Sequence, residues 1–236
     1  MDTQTRHALK GDKFAQATQS SVTWLSGHRS SVVRTSLIVA AVVIVLGGSL
    51  AFRAWRSVSA DEALGAALDT YSSPLAEPGA PQMKGVYTTT TERSKAANQQ
   101  FMTVADQYGW LPQGAKAHYF AGVTYAELGQ TGPAEAELKK AAESWDRGVA
   151  NLAKLALAGL YHQSGRDQEA IDLYNGLINK PSVTVSAAAA QLDLADLYAA
   201  SGKQDQARAL WARVKDTDKD GAAGSIAAQK LTGNNQ

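Results

Sequence analysis

Apolar and polar positions divide the chain into two dissimilar parts. Thr35 to Phe52, TSLIVAAVVIVLGGSLAF, contains no charged residue. As an α-helix its 18 residues would extend roughly 27 Å, close to the hydrocarbon thickness of a bilayer. The stretch is apolar on every side and lacks the polar face that a surface helix of a soluble protein keeps. Val32 and Val33 lengthen it when Arg34 snorkels. Arg53, Trp55 and Arg56 supply the cationic and aromatic anchors expected where a helix leaves lipid. A cleaved signal peptide is the competing reading, because Ser49-Leu50-Ala51 has small residues at cleavage spacing. The preceding head is long for that role, and the apolar run exceeds the usual span of about 7–15 residues. A retained transmembrane anchor over residues 32–56 is therefore expected.

Beyond the anchor, helical periodicity returns in segments that repeat one another. Ala115–Asp146, Asn151–Ser182 and Ala188–Lys219 align by eye, each with a small residue, a tyrosine, a glycine, an alanine and a large apolar residue at fixed offsets. These are Gly122, Tyr125, Gly129, Ala134 and Leu138 in the first segment. The second has Ala158, Tyr161, Gly165, Ala170 and Tyr174, and the third has Ala195, Tyr198, Gly202, Ala207 and Trp211. Small residues let paired helices approach, the tyrosine fills the space between repeats, and the glycine ends the first helix in a left-handed turn. The pattern predicts three helix-turn-helix units, 115–146, 151–182 and 188–219.

This unit resembles the tetratricopeptide repeat, whose period is about 34 residues. The proline usual at the end of its second helix is displaced to Pro181 in one copy and missing from the others, and Trp145–Gly148 lengthens the spacing. A degenerate repeat is expected over 60–108, pairing Ala60–Tyr71 with Glu92–Tyr108 around a loop rich in proline and glycine. Thr91 is the expected N-cap of the second of these helices. Residues 222–231 read as a cap over the last apolar face. The fold class is thus all-α: a single-pass transmembrane helix followed by a tetratricopeptide-like α-solenoid over residues 57–236. Residues 1–31 form a basic tail in which Phe14, Val22, Trp24 and Leu25 fit a short interfacial helix.

Charge sharpens the division. Seven basic residues against two acidic ones up to Arg56 leave +5, while the remainder carries −4, for +1 overall. Positive-inside asymmetry then favours a cytoplasmic N-terminus and a translocated body. A balance so near neutrality excludes nucleic-acid binding by bulk electrostatics. With no cysteine, disulfides and thiol chemistry are excluded.

Candidate chemistry is sparse. Asp216-Thr217-Asp218-Lys219-Asp220-Gly221 matches half of a calcium loop, but position twelve is Ala227 where a bidentate glutamate belongs. A polar turn before the capping helix is the expected reading. His118 and His162 have no metal spacing, and no nucleophile motif, phosphate loop or apolar carboxylate pair is present. No enzyme activity and no cofactor are expected.

The tetratricopeptide resemblance implies a peptide-binding groove along the first helices of the repeats. Its offsets fall on Lys116, Tyr119, Val123, Leu152, Leu155, His162, Leu192 and Asp196. The carboxylate clamp of chaperone-binding relatives would fall on Tyr119, Val123, Ala156, Ala189 and Asp193, which lack its basic and amide residues. The remaining, largely apolar groove suits hydrophobic segments.

A basic head with Trp24 and His28-Arg29, an anchor ending in Phe52-Arg53-Ala54-Trp55 and a divergent repeat body occur together. In this the chain is similar to the bacterial YfgM-like family, ancillary subunits of the SecYEG translocon. The resemblance implies an inner-membrane protein whose periplasmic repeats meet translocating clients and periplasmic chaperones. A membrane-tethered scaffold with a cytoplasmic body assembling another complex is the alternative.

Overall fold

The computed structural model describes residues 29–77 and 85–233. The head segment around Phe14, Val22, Trp24 and Leu25 lies outside them. The chain divides into two units, Met1–Arg56 and Ser57–Gln236.

The first helix, α1 (Arg29–Ser72), carries both the uncharged stretch and the Ala60–Tyr71 segment without interruption. It is long and apolar enough to cross a membrane, and none of its most apolar window is buried against protein. A core helix of a soluble protein would be covered, whereas Leu37, Ile44, Val45 and Leu50 are exposed along the whole run.

Eight further helices follow: α2 (Thr90–Tyr108), α3 (Pro112–Glu127), α4 (Thr131–Ala142), α5 (Arg147–Gln163), α6 (Asp167–Asn179), α7 (Ala187–Ala200), α8 (Gln204–Thr217) and α9 (Ala222–Gly233). No strand occurs among the described residues. Each helix packs on the next in chain order, and α3 also touches α5, as in an array of stacked helix pairs.

Sequence chemistry explains the boundaries. Gly129, Gly165 and Gly202 adopt φ of +71°, +73° and +77°, the left-handed region in which a Cβ is strained. At each turn the N–H one residue beyond the glycine donates back to the repeat tyrosine's carbonyl: Gln130 to Tyr125 (2.9 Å), Arg166 to Tyr161 (2.8 Å) and Lys203 to Tyr198 (2.8 Å). These bonds close the C-termini of α3, α5 and α7 in the same manner. Asp146 caps α5 by accepting from Gly148 N and Val149 N, and Ser186 caps α7 by accepting from Ala189 N. The cap of α2 is Thr89 and not Thr91. Its hydroxyl accepts from Glu92 N, and the Glu92 carboxylate accepts from Thr88 N and Oγ1. Thr89 is the cap because its hydroxyl takes the N–H of Glu92 at the third helical position, while the Glu92 carboxylate reaches one residue further back, to Thr88.

The core follows the repeat positions. Ala134, Ala170 and Ala207 are fully buried, as are Ala158 and Ala195, and Leu138, Tyr174 and Trp211 fill the spaces opposite. In the first repeat the small residue has to be glycine. A Cβ on Gly122 would lie 2.5 Å from Leu138 Cγ and 3.1 Å from the Ala134 carbonyl oxygen. Around the degenerate pair, Ala60, Leu64 and Ala67 of α1 join Phe101, Val104 and Tyr108 of α2 and Ala117 and Ala121 of α3. Phe101 stacks on Phe120 at 5.1 Å. A buried polar tie completes this region: Asn98 Nδ2 donates to Ala121 O (3.0 Å) and Thr124 Oγ1 (2.9 Å).

Candidate peptide-binding groove

Stacking places α3 beside α5 and opens a cleft of about 430 Å³ between them. Val123, Ala126 and Glu127 of α3 line one wall, Ala156, Gly159, Leu160 and Gln163 of α5 line the other, and Leu138 of α4 also lines it. Most of this lining is aliphatic, with Glu127 and Gln163 as its polar members. Glu127 has further duties: its carboxylate accepts from Ser94 Oγ (2.5 Å) and from the Tyr71 hydroxyl (2.6 Å). Burial and that carboxylate push the Tyr71 hydroxyl up to about 12, so it stays a donor at neutral pH.

The eight residues read from the groove offsets take several different positions. Val123 lines the cleft. Lys116 is exposed at the start of α3, and Tyr119 is half-buried with its ring edge-on to Phe120 at 5.0 Å. Leu152 and Leu155, both half-buried, pack against the Leu177, Val185 and Ala190 cluster. The other three are engaged in holding repeats together. His162 Nδ1 lies 2.7 Å from Asp167 Oδ1, and the same carboxylate accepts from Ser201 Oγ at the next repeat's turn. Asp167 is held below the usual carboxylate range chiefly by His162 and then by Ser201. Leu192 is only 8% exposed and packs with Ala207, Trp211, Val214 and Ala227. Asp196 accepts from Trp211 Nε1 (3.1 Å) and Lys230 Nζ (2.6 Å), tying α7 to α8 and to the capping helix α9. Its neighbour Asp193 is pushed above the carboxylate range by burial and then by Asp196, with Lys230 opposing.

A second polar tie spans repeats one and two. Glu135 on α4 accepts from Arg166 (2.6 Å), from Tyr161 Oη (3.2 Å) and from Lys139 (2.7 Å), while the Arg166 guanidinium lies over the Tyr161 ring at 3.9 Å. Arg166 first and Lys139 second hold the Glu135 carboxyl down at about 2. His118 pairs with Glu137, which also takes Lys140. Among the described residues no cluster of His, Asp or Glu has a metal-binding arrangement. The Asp218 carboxylate accepts from Gly224 N (3.1 Å), at the start of α9.

Ala126, Gly159 and Gln163 line the cleft but were outside the offset-based set. Gly159 carried a readable signal. A glycine in mid-helix costs about 1 kcal/mol relative to alanine, and here nothing lies within 4 Å of the position its Cβ would occupy. No close packing demands it, and it leaves the cleft wide.

Comparison with curated proteins finds no match. Among solved structures, a Podosopora anserina protein described as a kinesin light chain with nearly identical TPR-like repeats is similar in fold. It has a TM-score of 0.50 and 18% identity over 59% of this chain and 76% of that one. The model of the tetratricopeptide repeat-like domain matches residues 34–233, which is most of the chain. With the left-handed glycine turns, the buried alanines and the stacked helix pairs, that match makes this chain a member of the tetratricopeptide repeat-like domain family, whose fold serves protein–protein interaction.

Proposed function

We propose that the protein is a membrane-anchored interaction module acting as an ancillary subunit of a SecYEG-type translocon. In this reading residues 32–56 are held in the inner membrane, the N-terminus is cytoplasmic, and the repeats are periplasmic. They engage translocating clients or periplasmic chaperones. The observation that carries the reading is the uncharged Thr35–Phe52 stretch, exposed throughout and joined in one polypeptide to interaction repeats. The sequence resemblance to YfgM-like proteins supplies the translocon.

The function then follows from proximity and needs no chemistry. A tether beside the exit channel would raise the effective concentration of a weak groove to about the millimolar range. Short apolar segments of a client, extended or helical, fit an aliphatic cleft without a long residence time. Lys116, Tyr119, Val123, Leu152 and Leu155 are the groove contacts in this reading, Val123 lining the α3–α5 cleft together with Ala156, whereas His162, Leu192 and Asp196 hold the repeats together.

Alkaline phosphatase fused after Gln236 tests the orientation. Activity is expected, and an inactive fusion would assign the body to the cytoplasm and favour a scaffold for another complex. Val123→Asp combined with Ala156→Asp should abolish photo-crosslinking of nascent clients while helicity is retained. Unchanged crosslinking would reject the cleft.

A further inference from the structure

Three large apolar side chains stand exposed where one helix pair hands over to the next. Trp110 lies in the α2–α3 turn, Trp145 in the α4–α5 turn and Val183 in the α6–α7 turn, at 51%, 75% and 106% of full exposure. These turns share one edge of the repeat unit. Thr184 Oγ1, adjacent to Val183, donates to the carbonyl of Gly148, three residues past Trp145 (2.8 Å). Asn151 Nδ2 donates to the carbonyl of Lys180 (3.1 Å), and α3 packs against α5, the helices that follow the first two turns. The chain also enters this unit on that edge. Gln113, three residues past Trp110, donates to Ser57 Oγ (3.0 Å) and Asp61 Oδ1 (2.8 Å).

Turns are ordinarily built from small polar residues, and tryptophan in two of them departs from that chemistry. Charge varies from turn to turn along the edge. Around Trp145 stand Glu143, Asp146 and Arg147, and beside Val183 stands Lys180 with no acidic residue nearby in sequence. The last turn, Asp216–Gly221, carries three aspartates against Lys219. The aromatic turns are the first two in chain order, and the most acidic turn is the last in the array.

We propose that this edge is a lipid-contacting surface, with the rings of Trp110 and Trp145 seated at headgroup level in the phospholipid leaflet. The inference rests on the anchored reading above and adds a second point of contact. Tryptophan has an apolar body and one N–H donor, the chemistry that suits the membrane–water boundary. Because Ser57 follows Arg56 in one polypeptide, a bilayer that takes up Thr35–Phe52 meets this unit at high effective concentration, so even weak ring insertion is favoured. An acidic final turn stays off an anionic lipid surface.

The test uses the full chain reconstituted in phosphatidylethanolamine–phosphatidylglycerol vesicles, with brominated or ordinary acyl chains, and reads tryptophan emission. Each variant keeps buried Trp211 as background plus one of Trp55, Trp110 or Trp145, with Trp24 and the others replaced by phenylalanine. A fourth variant keeps Trp211 alone. Circular dichroism verifies unchanged helicity. The expected result is about a twofold drop in the emission of Trp110 and of Trp145 in brominated lipid, alongside Trp55, with Trp211 unaffected. If Trp55 is quenched while Trp110 and Trp145 keep their emission, the edge proposal fails and the anchor stands. If Trp55 itself is not quenched, the anchored reading falls first. Trp145 emission that is blue-shifted in native membranes but insensitive to brominated lipid would overturn lipid contact in favour of a protein partner.

Discussion

Two glycines six residues apart in one repeat should respond to the same substitution with opposite signs. Gly159 is in the interior of α5, and a Cβ there meets nothing within 4 Å. Gly165 ends that helix at φ +73°, and its Cβ would also meet nothing within 4 Å. Since neither site is crowded, backbone conformation alone decides. Gly159→Ala removes the excess freedom of glycine from the unfolded chain and should stabilise by about 0.5–1 kcal/mol. Gly165→Ala forces an L-residue into the left-handed region and should destabilise by about 1–2 kcal/mol. For a unit of this size each kcal/mol moves Tm by about 2–4 °C. Gly159→Ala should thus raise the midpoint by about 1–4 °C and Gly165→Ala should lower it by about 2–8 °C. Thermal unfolding of the full chain in detergent, followed by far-UV circular dichroism, measures both. Shifts of the same sign, or a more stable Gly165→Ala, would refute the conformational argument.

Further outcomes follow from the packing and the polar ties. Trp211→Ala should cost about 3–5 kcal/mol and should speed amide exchange in α9, because it empties the 1%-exposed site against which Ala227 packs and removes a donor to Asp196. Gly122→Val should destabilise by about 1–3 kcal/mol through overpacking on Leu138, and added Leu138→Ala should recover part of that loss in chemical denaturation. Glu135 is held at about 2, below its unfolded value near 4.5. Protonation therefore favours the unfolded chain: the carboxylate's contribution is complete above that unfolded value and vanishes as pH falls towards 2. The stability gap between the natural chain and Glu135→Gln should accordingly narrow over that interval in acid titrations. Asp218→Ala should weaken α9 by about 1 kcal/mol, and calorimetric titration with calcium should show no heat.

Much of the fold was legible because the relevant stereochemistry is local. A glycine at a left-handed turn, or an alanine where helices touch, leaves few alternatives, so Gly129, Gly165 and Gly202 and Ala134, Ala170 and Ala207 marked their own positions. The groove was less legible because burial there depends on what a neighbouring repeat contributes. Leu192 has the offset of a groove residue, yet Trp211 and the cap close over it. Asp196 has the same kind of offset, but Lys230, thirty-four residues later, claims its carboxylate. Thr89 and Thr91 are equivalent by residue type, and only the reach of Glu92 back to Thr88 selects between them. Arg53, Trp55 and Arg56 mark where the apolar stretch ends, but Ser57-Val58-Ser59 carries no proline or glycine, so nothing there breaks α1 before Ala60.

The Asp196–Lys230 tie and the packing of Ala227 with Trp211 hold the final helix as a lid on the last repeat. Each helix pair leans only on its neighbours, so a protease cutting within Asp218–Gly221 would strip α9 and leave the remaining repeats folded. The newly bared surface would include Trp211, whose emission would shift to the red, and the shortened molecule would become sticky at that end.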